Sequence, residues 1–397
     1  MKDFNYIMRE KCAITGDSEF ESLFKMKFPL FCGCVKQAQN KDIIADMEFV
    51  IFKPSGVVQL KNLIPLEILY KNGHDAGAVG ALWDSHHSAF ADFVVSFKPK
   101  NVLEIGGAHG KLALKCLEKD SNLSYTIIEP NSTKHDKIHY IDGFFGNATL
   151  PQKYDCIVHS HTFEHIYEPN EFLSAIYDSL CESAQTSGGG ESQNSNSAYL
   201  IFSLPNMQKW LENKFTNCLN YEHTILLNES VIEYLLCKNH FKILKKQYFK
   251  DHSIFFACEK ICGDFGDFRR ESSVNLTPQY NQNKALISEF LDFYKHKIAF
   301  LNNILDSTNK PIYLFGAHLF SQFLLYSGLK REKIISILDN NTKKQGKRLY
   351  GTRFLVESPQ ILRHTNALLI LNAGAYNDEI KQGILQNINA KTEIVDF

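Results

Sequence analysis

The sequence predicts an α/β protein. It is built on a mostly parallel sheet closed at one edge by an antiparallel hairpin, and flanked by a small N-terminal domain and a second α/β domain. Three observations carry this expectation. Asn101-Val-Leu-Glu-Ile-Gly-Gly-Ala-His-Gly110, followed by Lys111 to Lys119, reads as buried strand, tight glycine turn and helix. Strand-like and helix-like segments then alternate, the order of a sheet whose strands are joined by crossover helices. Finally, Phe241 to Tyr248 and Ser253 to Glu259 read as two strands joined by a short turn.

The bulk numbers bound the function classes. A chain of 397 residues has room for two or three domains. Its 44% hydrophobic and 22% charged content is that of an ordinary globular protein. With 43 basic and 44 acidic side chains the net charge is -1, which exerts no global pull on nucleic acid or an anionic membrane. Met1 to Glu10 mixes Lys2, Asp3, Arg9 and Glu10 with no apolar signal core. No apolar run reaches the roughly 18 residues a span needs. A cytoplasmic location is expected. The ten cysteines are scattered, and Cys116, Cys156, Cys218, Cys237 and Cys258 sit in apolar or periodic segments, as buried free thiols do.

Taken in order, residues 1–80 form a first block. It contains Cys12-Ala-Ile-Thr-Gly16, Phe28-Pro-Leu-Phe-Cys-Gly-Cys34 and Phe52-Lys-Pro-Ser-Gly-Val-Val-Gln-Leu60, and ends in a glycine run at 72–80 that includes His74. Residues 81–260 form the central domain. A helix over 81–97 places Leu82, Phe90, Phe93, Val94 and Phe97 on one face. In the first strand-turn-helix, the dinucleotide fingerprint G-x-G-x-x-G fails, because its positions hold Gly106, Ala108 and Lys111. What stands instead is acidic-x-Gly-x-Ala-x-Gly, with Glu104 at the strand end and Gly106 and Gly110 freeing the backbone to turn. The second strand, 124–129, ends in Glu129, 23 residues after Gly106. That is close to the roughly 20 expected for a carboxylate that takes ribose hydroxyls.

A short third strand at 138–142 leads to Asp142, Gly143, Phe144 and Phe145. The fourth, 154–159, runs into Ser160-His-Thr-Phe-Glu-His-Ile-Tyr-Glu-Pro169 and a helix over 169–180. Residues 181–197 are almost without apolar content and read as a mobile surface insertion. The fifth strand, 198–204, precedes Phe215-Thr-Asn-Cys-Leu-Asn-Tyr-Glu-His-Thr224 and a helix over 229–239. Residues 261–397 begin as a polar linker and continue as an amphipathic helix over 285–306. Strands follow near 311, 334 and 367, with a loop carrying Lys343, Lys344, Lys347 and Arg348.

These phrases resemble the three-domain nucleotide-sugar C-methyltransferases, which are class I, Rossmann-like enzymes dependent on S-adenosyl-L-methionine. The resemblance spans nearly the whole chain. The N-terminal phrases are similar to a small zinc module with two C-x-x-C-G pairs, whose ligand positions fall here on Cys12, Thr15, Phe52 and Ser55. One ligand of four does not make a structural zinc site, so a metal-free remnant is expected. The resemblance implies that Glu104, Gly106, Gly107, Ala108, Gly110 and Glu129, with Asp142, Phe144, His161 and Thr162, surround the cofactor. It implies that Glu222 and His223 match the final Glu-His of the family signature Phe-Asp-Thr-Ile-Tyr-His-Glu-His, while Asn220 and Tyr221 depart from it. Tyr70, His87, Tyr221 and Lys344 become candidates for contact with a nucleotide-sugar, and Lys343, Lys347 and Arg348 for its phosphates.

For carbon methylation the acceptor nucleophile must be made: a base removes a proton next to a keto group. Histidine suits that work near neutral pH. His223 is the expected base, with Glu222 orienting it or holding a sugar hydroxyl. Adjacent side chains on a strand would point apart, so this pair requires a loop. Two other readings stand beside this one: an O- or N-methyltransferase acting on a sugar or related small molecule, and a sugar-binding protein without catalysis.

Overall fold

The computed structural model describes residues 4–70, 80–182, 197–262 and 274–396. The glycine run with His74, the low-complexity stretch and much of the polar linker fall outside them. The N-terminal segment contains β1 (Ile7–Met8), β2 (Phe20–Pro29), β3 (Cys34–Val35), β4 (Ile44–Phe52), β5 (Val58–Leu60), β6 (Asn62–Leu63) and the short α1 (Leu66–Leu69). Strands β2, β4 and β5 form an antiparallel sheet. The turns Cys12–Gly16 and Phe52–Gly56 that resemble metal knuckles are both present. In each, the glycine N–H donates to the carbonyl four residues back (2.9 and 2.7 Å). Between them stands an apolar filling: Cys12, Ile14 and Phe52 belong to one buried cluster, and Phe20 lies 5.4 Å from the Phe52 ring.

The central segment contains α2 (Ala81–Val95), β7 (Asn101–Ile105), α3 (Lys111–Lys119), β8 (Ser124–Ile128), β9 (His139–Ile141), β10 (Cys156–Ser160), α4 (Pro169–Ser179), β11 (Tyr199–Pro205), α5 (Met207–Glu212), α6 (Glu229–Lys238), β12 (Phe241–Phe249) and β13 (Ser253–Lys260). Their sheet has the order β12-β13-β11-β10-β7-β8-β9. The five strands from β11 to β9 pair in parallel, and β13 runs antiparallel to both its neighbours. This is the expected Rossmann-like sheet with its closing hairpin. Strands β7, β10 and β11 are apolar along nearly their whole length because helices cover both faces. The strand order reverses between β7 and β10, which opens a crevice at the carboxyl edge where open α/β sheets bind ligands.

The third segment contains α7 (Gln279–Ser307), β14 (Ile312–Phe315), α8 (Leu319–Tyr326), β15 (Ile334–Leu338), β16 (Arg348–Leu349), β17 (Val356–Glu357), β18 (Leu368–Leu371), α9 (Asn377–Asn387) and β19 (Glu393–Asp396). A parallel sheet runs β17-β15-β14-β18-β19. Helix α7 begins six residues earlier than its apolar periodicity indicates. Its first turns, Gln279 to Lys284, are polar and carry no stripe, yet extend the backbone hydrogen bonding. The segments are sewn together. β3 pairs with β16, and one buried cluster includes Phe28 and Phe49, Trp210 and Tyr221, Ile287 and Phe290, and Leu314 and Ile337.

Candidate active site

Glu104 sits at the end of β7 with 3% exposure, and its Oε2 has no hydrogen-bond partner. Burial raises its carboxyl to a pKa of about 7; the nearby Tyr125 hydroxyl opposes the rise and the Glu129 charge adds to it. The two carboxylates on neighbouring strands therefore act on one space. After Glu104 the chain turns through Gly106 at φ +76°, where a Cβ would stand 3.0 Å from Thr162 Oγ1. The Gly106 N–H donates to Ile128 O, and Gly110 at φ +67° caps α3. Ala108 takes φ +43°, an uncommon conformation for a residue with a side chain. Glu129 is half-buried at the end of β8, and its Oε1 accepts from Asn131 N at 3.2 Å. A buried carboxylate with one oxygen unpartnered beside a cradle of backbone fits a ligand with a cationic amine and a ribose.

The other residues expected around the cofactor divide. His161 and Thr162 follow β10 at the crevice, and His161 holds φ +51°. Asp142 is exposed and pairs with Lys134 at 3.1 Å, while Phe144 is 49% exposed at the same rim. Phe145 turns inward onto Phe172 instead.

Beyond Thr162 the Glu-His phrases meet. Ligating atoms of Glu164, His165 and His223 lie within 4.8 Å of one another. His165 Nδ1 is 4.0 Å from Glu222 Oε2, and the His165 and His223 rings are 5.4 Å apart. Glu222 and His223 stand on the loop between Cys218 and α6, as their shared orientation requires. Asn220 builds that loop: its Oδ1 accepts from the N–H groups of Glu222 (2.7 Å) and His223 (2.9 Å). Tyr70 reaches the same region. Burial raises its hydroxyl pKa, and the charges of Glu222, Tyr167, Glu164 and Glu129 add to the rise.

Several residues expected at the acceptor have partners elsewhere. Tyr221 is 1% exposed in the shared core and donates to Phe28 O at 3.4 Å, so it is a packing residue. His87 is buried with Nδ1 on the Trp83 carbonyl (2.6 Å), and its neighbour His86 is the one that enters the crevice wall. Lys344 pairs with Asp339 at 3.3 Å. Arg348, from the same loop, gives both guanidinium nitrogens to Asp42 (2.6 and 2.9 Å), so it is a clasp between segments and not a free phosphate ligand.

Sequence reasoning missed one assembly outright. Trp83, His86, His161 and His252 pack edge on edge, with Trp83 4.8 Å from the rings of both His161 and His252. His86 shares a hydrogen bond with Ser203 Oγ (2.9 Å), and His161 and His252 both share one with Ser253 Oγ (2.8 and 2.6 Å). Burial is the main reason all three imidazoles titrate below their ordinary value, with His252 at about 4. The signal for His86 was present: it lies on the stripe of Leu82, Phe90, Phe93 and Phe97.

Residues 80–185 match the family model described as a methyltransferase domain. No curated protein matches this chain in sequence. Among solved structures, an O-methyltransferase family protein from Burkholderia thailandensis is similar at TM-score 0.36 and 11% identity, over 46% of this chain and 57% of that one. N,N-8-amino-8-demethyl-D-riboflavin dimethyltransferase from Streptomyces davawensis is similar at TM-score 0.35 and 14% identity, over 45% and 57%. Human N-acetylserotonin methyltransferase, solved with S-adenosylmethionine, is similar at TM-score 0.35 and 15% identity, over 44% and 51%. The chain thus spans little more than half the length of each. The central segment carries the methyltransferase-domain match on a Rossmann-like sheet with a closing antiparallel hairpin.

Proposed function

We propose that the protein is an S-adenosylmethionine-dependent methyltransferase that methylates carbon next to the keto group of a nucleotide-sugar. In this reading residues 1–80 form a small domain without zinc, 81–260 bind the cofactor, and 261–397 help seat the acceptor. The observation that carries it is the convergence of Glu164, His165, Glu222 and His223 directly beyond Thr162 at the carboxyl edge of the sheet. A base with carboxylates at its back, opening on the cofactor crevice, is what proton removal from carbon needs.

Glu104 would hold the ammonium of the cofactor's methionine part, and Glu129 its ribose hydroxyls. The bound cofactor supplies an electrophilic methyl group. His223 takes the proton from the acceptor carbon, and the imidazolium so formed is stabilised by Glu164 and Glu222 around His165. Asn220 fixes the loop so that the His223 ring is already aimed before the acceptor arrives, which lowers the entropic part of the barrier. Thr162 and Gly106 set how closely the two reactants approach.

The experiment is to incubate the full chain with methyl-labelled cofactor and a panel of keto nucleotide-sugars, and to assign the product by NMR. Label on carbon supports the reading. Label on oxygen or nitrogen replaces it with the heteroatom reading. Cofactor that gives no heat of binding in calorimetry supports the non-catalytic one.

A further inference from the structure

We infer that His86, His161 and His252 form a binding site for a divalent transition-metal ion, of the kind Zn²⁺ fills, in the wall of the crevice. The three imidazoles come from separate elements: helix α2, the segment after β10 and the turn between β12 and β13. One ligating nitrogen from each lies within 4.8 Å of the other two. A Zn–N bond of about 2.0–2.1 Å places tetrahedral ligands roughly 3.3 Å apart. The nitrogen separations therefore need to close by up to about 1.5 Å, which side-chain torsions supply.

Two independent features point to an ion and not to packing alone. First, His86 is fully buried, and its Nδ1 has no hydrogen-bond partner. A buried ring nitrogen left unsatisfied is costly, and a metal satisfies it. Secondly, the rings are held from behind. Ser203 holds His86 Nε2 at 2.9 Å and Ser253 holds His252 Nδ1 at 2.6 Å, which leaves His86 Nδ1 and His252 Nε2 for an ion, while His161 Nε2 would exchange its 2.8 Å bond with Ser253 Oγ for the ion. The carboxylate of Glu164 stands 3.5 Å from His161 Nδ1. A carboxylate behind a histidine is the usual outer partner of a metal ligand, because it sets the tautomer and raises the basicity of the other nitrogen. Neutral imidazoles suit Zn²⁺, Co²⁺, Ni²⁺ or Cu²⁺, and disfavour Mg²⁺ and Ca²⁺. Three protein ligands leave the fourth position for an oxygen, from water or an acceptor.

None of its three ligands belongs to the N-terminal turns or to the Glu164, His165 and His223 cluster, although Glu164 stands beside both groups. It holds whether or not the acceptor is a sugar, and its test does not depend on turnover.

The chain carries its own reporter. It has two tryptophans. Trp83 lies 4.8 Å from His161 and His252, and Trp210 lies 6.4 and 5.8 Å from the same rings. The test is to strip the full chain with chelator, titrate it with Co²⁺ while following tryptophan fluorescence and the visible spectrum, and measure Zn²⁺ uptake by calorimetry. The expected result is one equivalent bound per chain, strong quenching of emission, and a four-coordinate cobalt spectrum. His86→Gln and His252→Gln should each weaken binding at least tenfold, while His165→Gln leaves it intact. No uptake by the unaltered chain overturns the proposal without recourse to any variant. Uptake that survives both substitutions, or that only His165→Gln removes, overturns it as well. Near-ultraviolet circular dichroism confirms that each variant retains its fold.

Discussion

The Gly107 backbone lies against the Glu104 carboxylate. A Cβ at position 107 would stand 3.0 Å from Glu104 Cδ and 2.8 Å from Ile127 Cγ2. The turn after β7 and the acid at its end therefore share one volume. Gly107→Ala must displace Glu104, Ile127 or the turn. We expect cofactor affinity to fall tenfold or more by calorimetry, with a stability loss of about 1–3 kcal/mol from overpacking.

Glu104 also links proton and cofactor binding. Its folded pKa of about 7 lies above the ordinary carboxyl value of 4.5, so the folded state holds the proton more tightly than the unfolded one. Its protonated form favours the fold most below pH 4.5, and that contribution is lost as pH rises through 7. At pH 8, Glu104→Gln should therefore stabilise the cofactor-free protein, by on the order of 2–3 kcal/mol in urea unfolding. The same substitution should abolish measurable cofactor binding. In the unaltered protein, affinity should rise from pH 6 to 8 and then level off, because the ammonium needs the charged carboxylate. Affinity that is flat across this window would remove Glu104 from the role.

His223→Asn tests the base. Turnover should fall by roughly 10²- to 10⁴-fold, while the calorimetric affinity for cofactor stays within a factor of two or three. Asn220→Ala removes the acceptor of two loop N–H groups and leaves His223 in place. It should lower kcat more than it changes cofactor binding. Retained activity in His223→Asn would transfer the proton step to His165.

The Asp42–Arg348 clasp joins the first and third segments, with side chains only 2% and 11% exposed. Asp42 also accepts from Gly351 N at 2.8 Å. Asp42→Ala strands a buried guanidinium and should cost about 3–5 kcal/mol. The double variant Asp42→Leu with Arg348→Met should recover much of that loss in thermal unfolding, since the pair is then replaced by apolar volume.

Much of the sheet was legible because its strands announce themselves locally. Val102 to Ile105, Cys156 to Val158 and Tyr199 to Leu204 are short apolar runs bounded by turns, and each forms a strand within a residue or two of expectation. The Glu104 turn and the Glu222-His223 loop were legible for the same reason: each is one continuous phrase. What escaped was assembled across distance. Trp83 meets His252 through folding of the hairpin edge, and Asp42 meets Arg348 across some three hundred residues. No local pattern encodes such pairs. Tyr221 packs in the core because neighbours on a tight loop face opposite ways, a detail that no linear phrase encodes.

The two turns near the amino end have a consequence for how that segment holds together. Phe52 stands where the resembled module would carry a thiolate, and it is already saturated with carbon neighbours. Cohesion there comes from expelling water, a resource present in every cell compartment at constant supply. Trimming Phe52 would therefore loosen both turns at once, because each leans on the same apolar cluster.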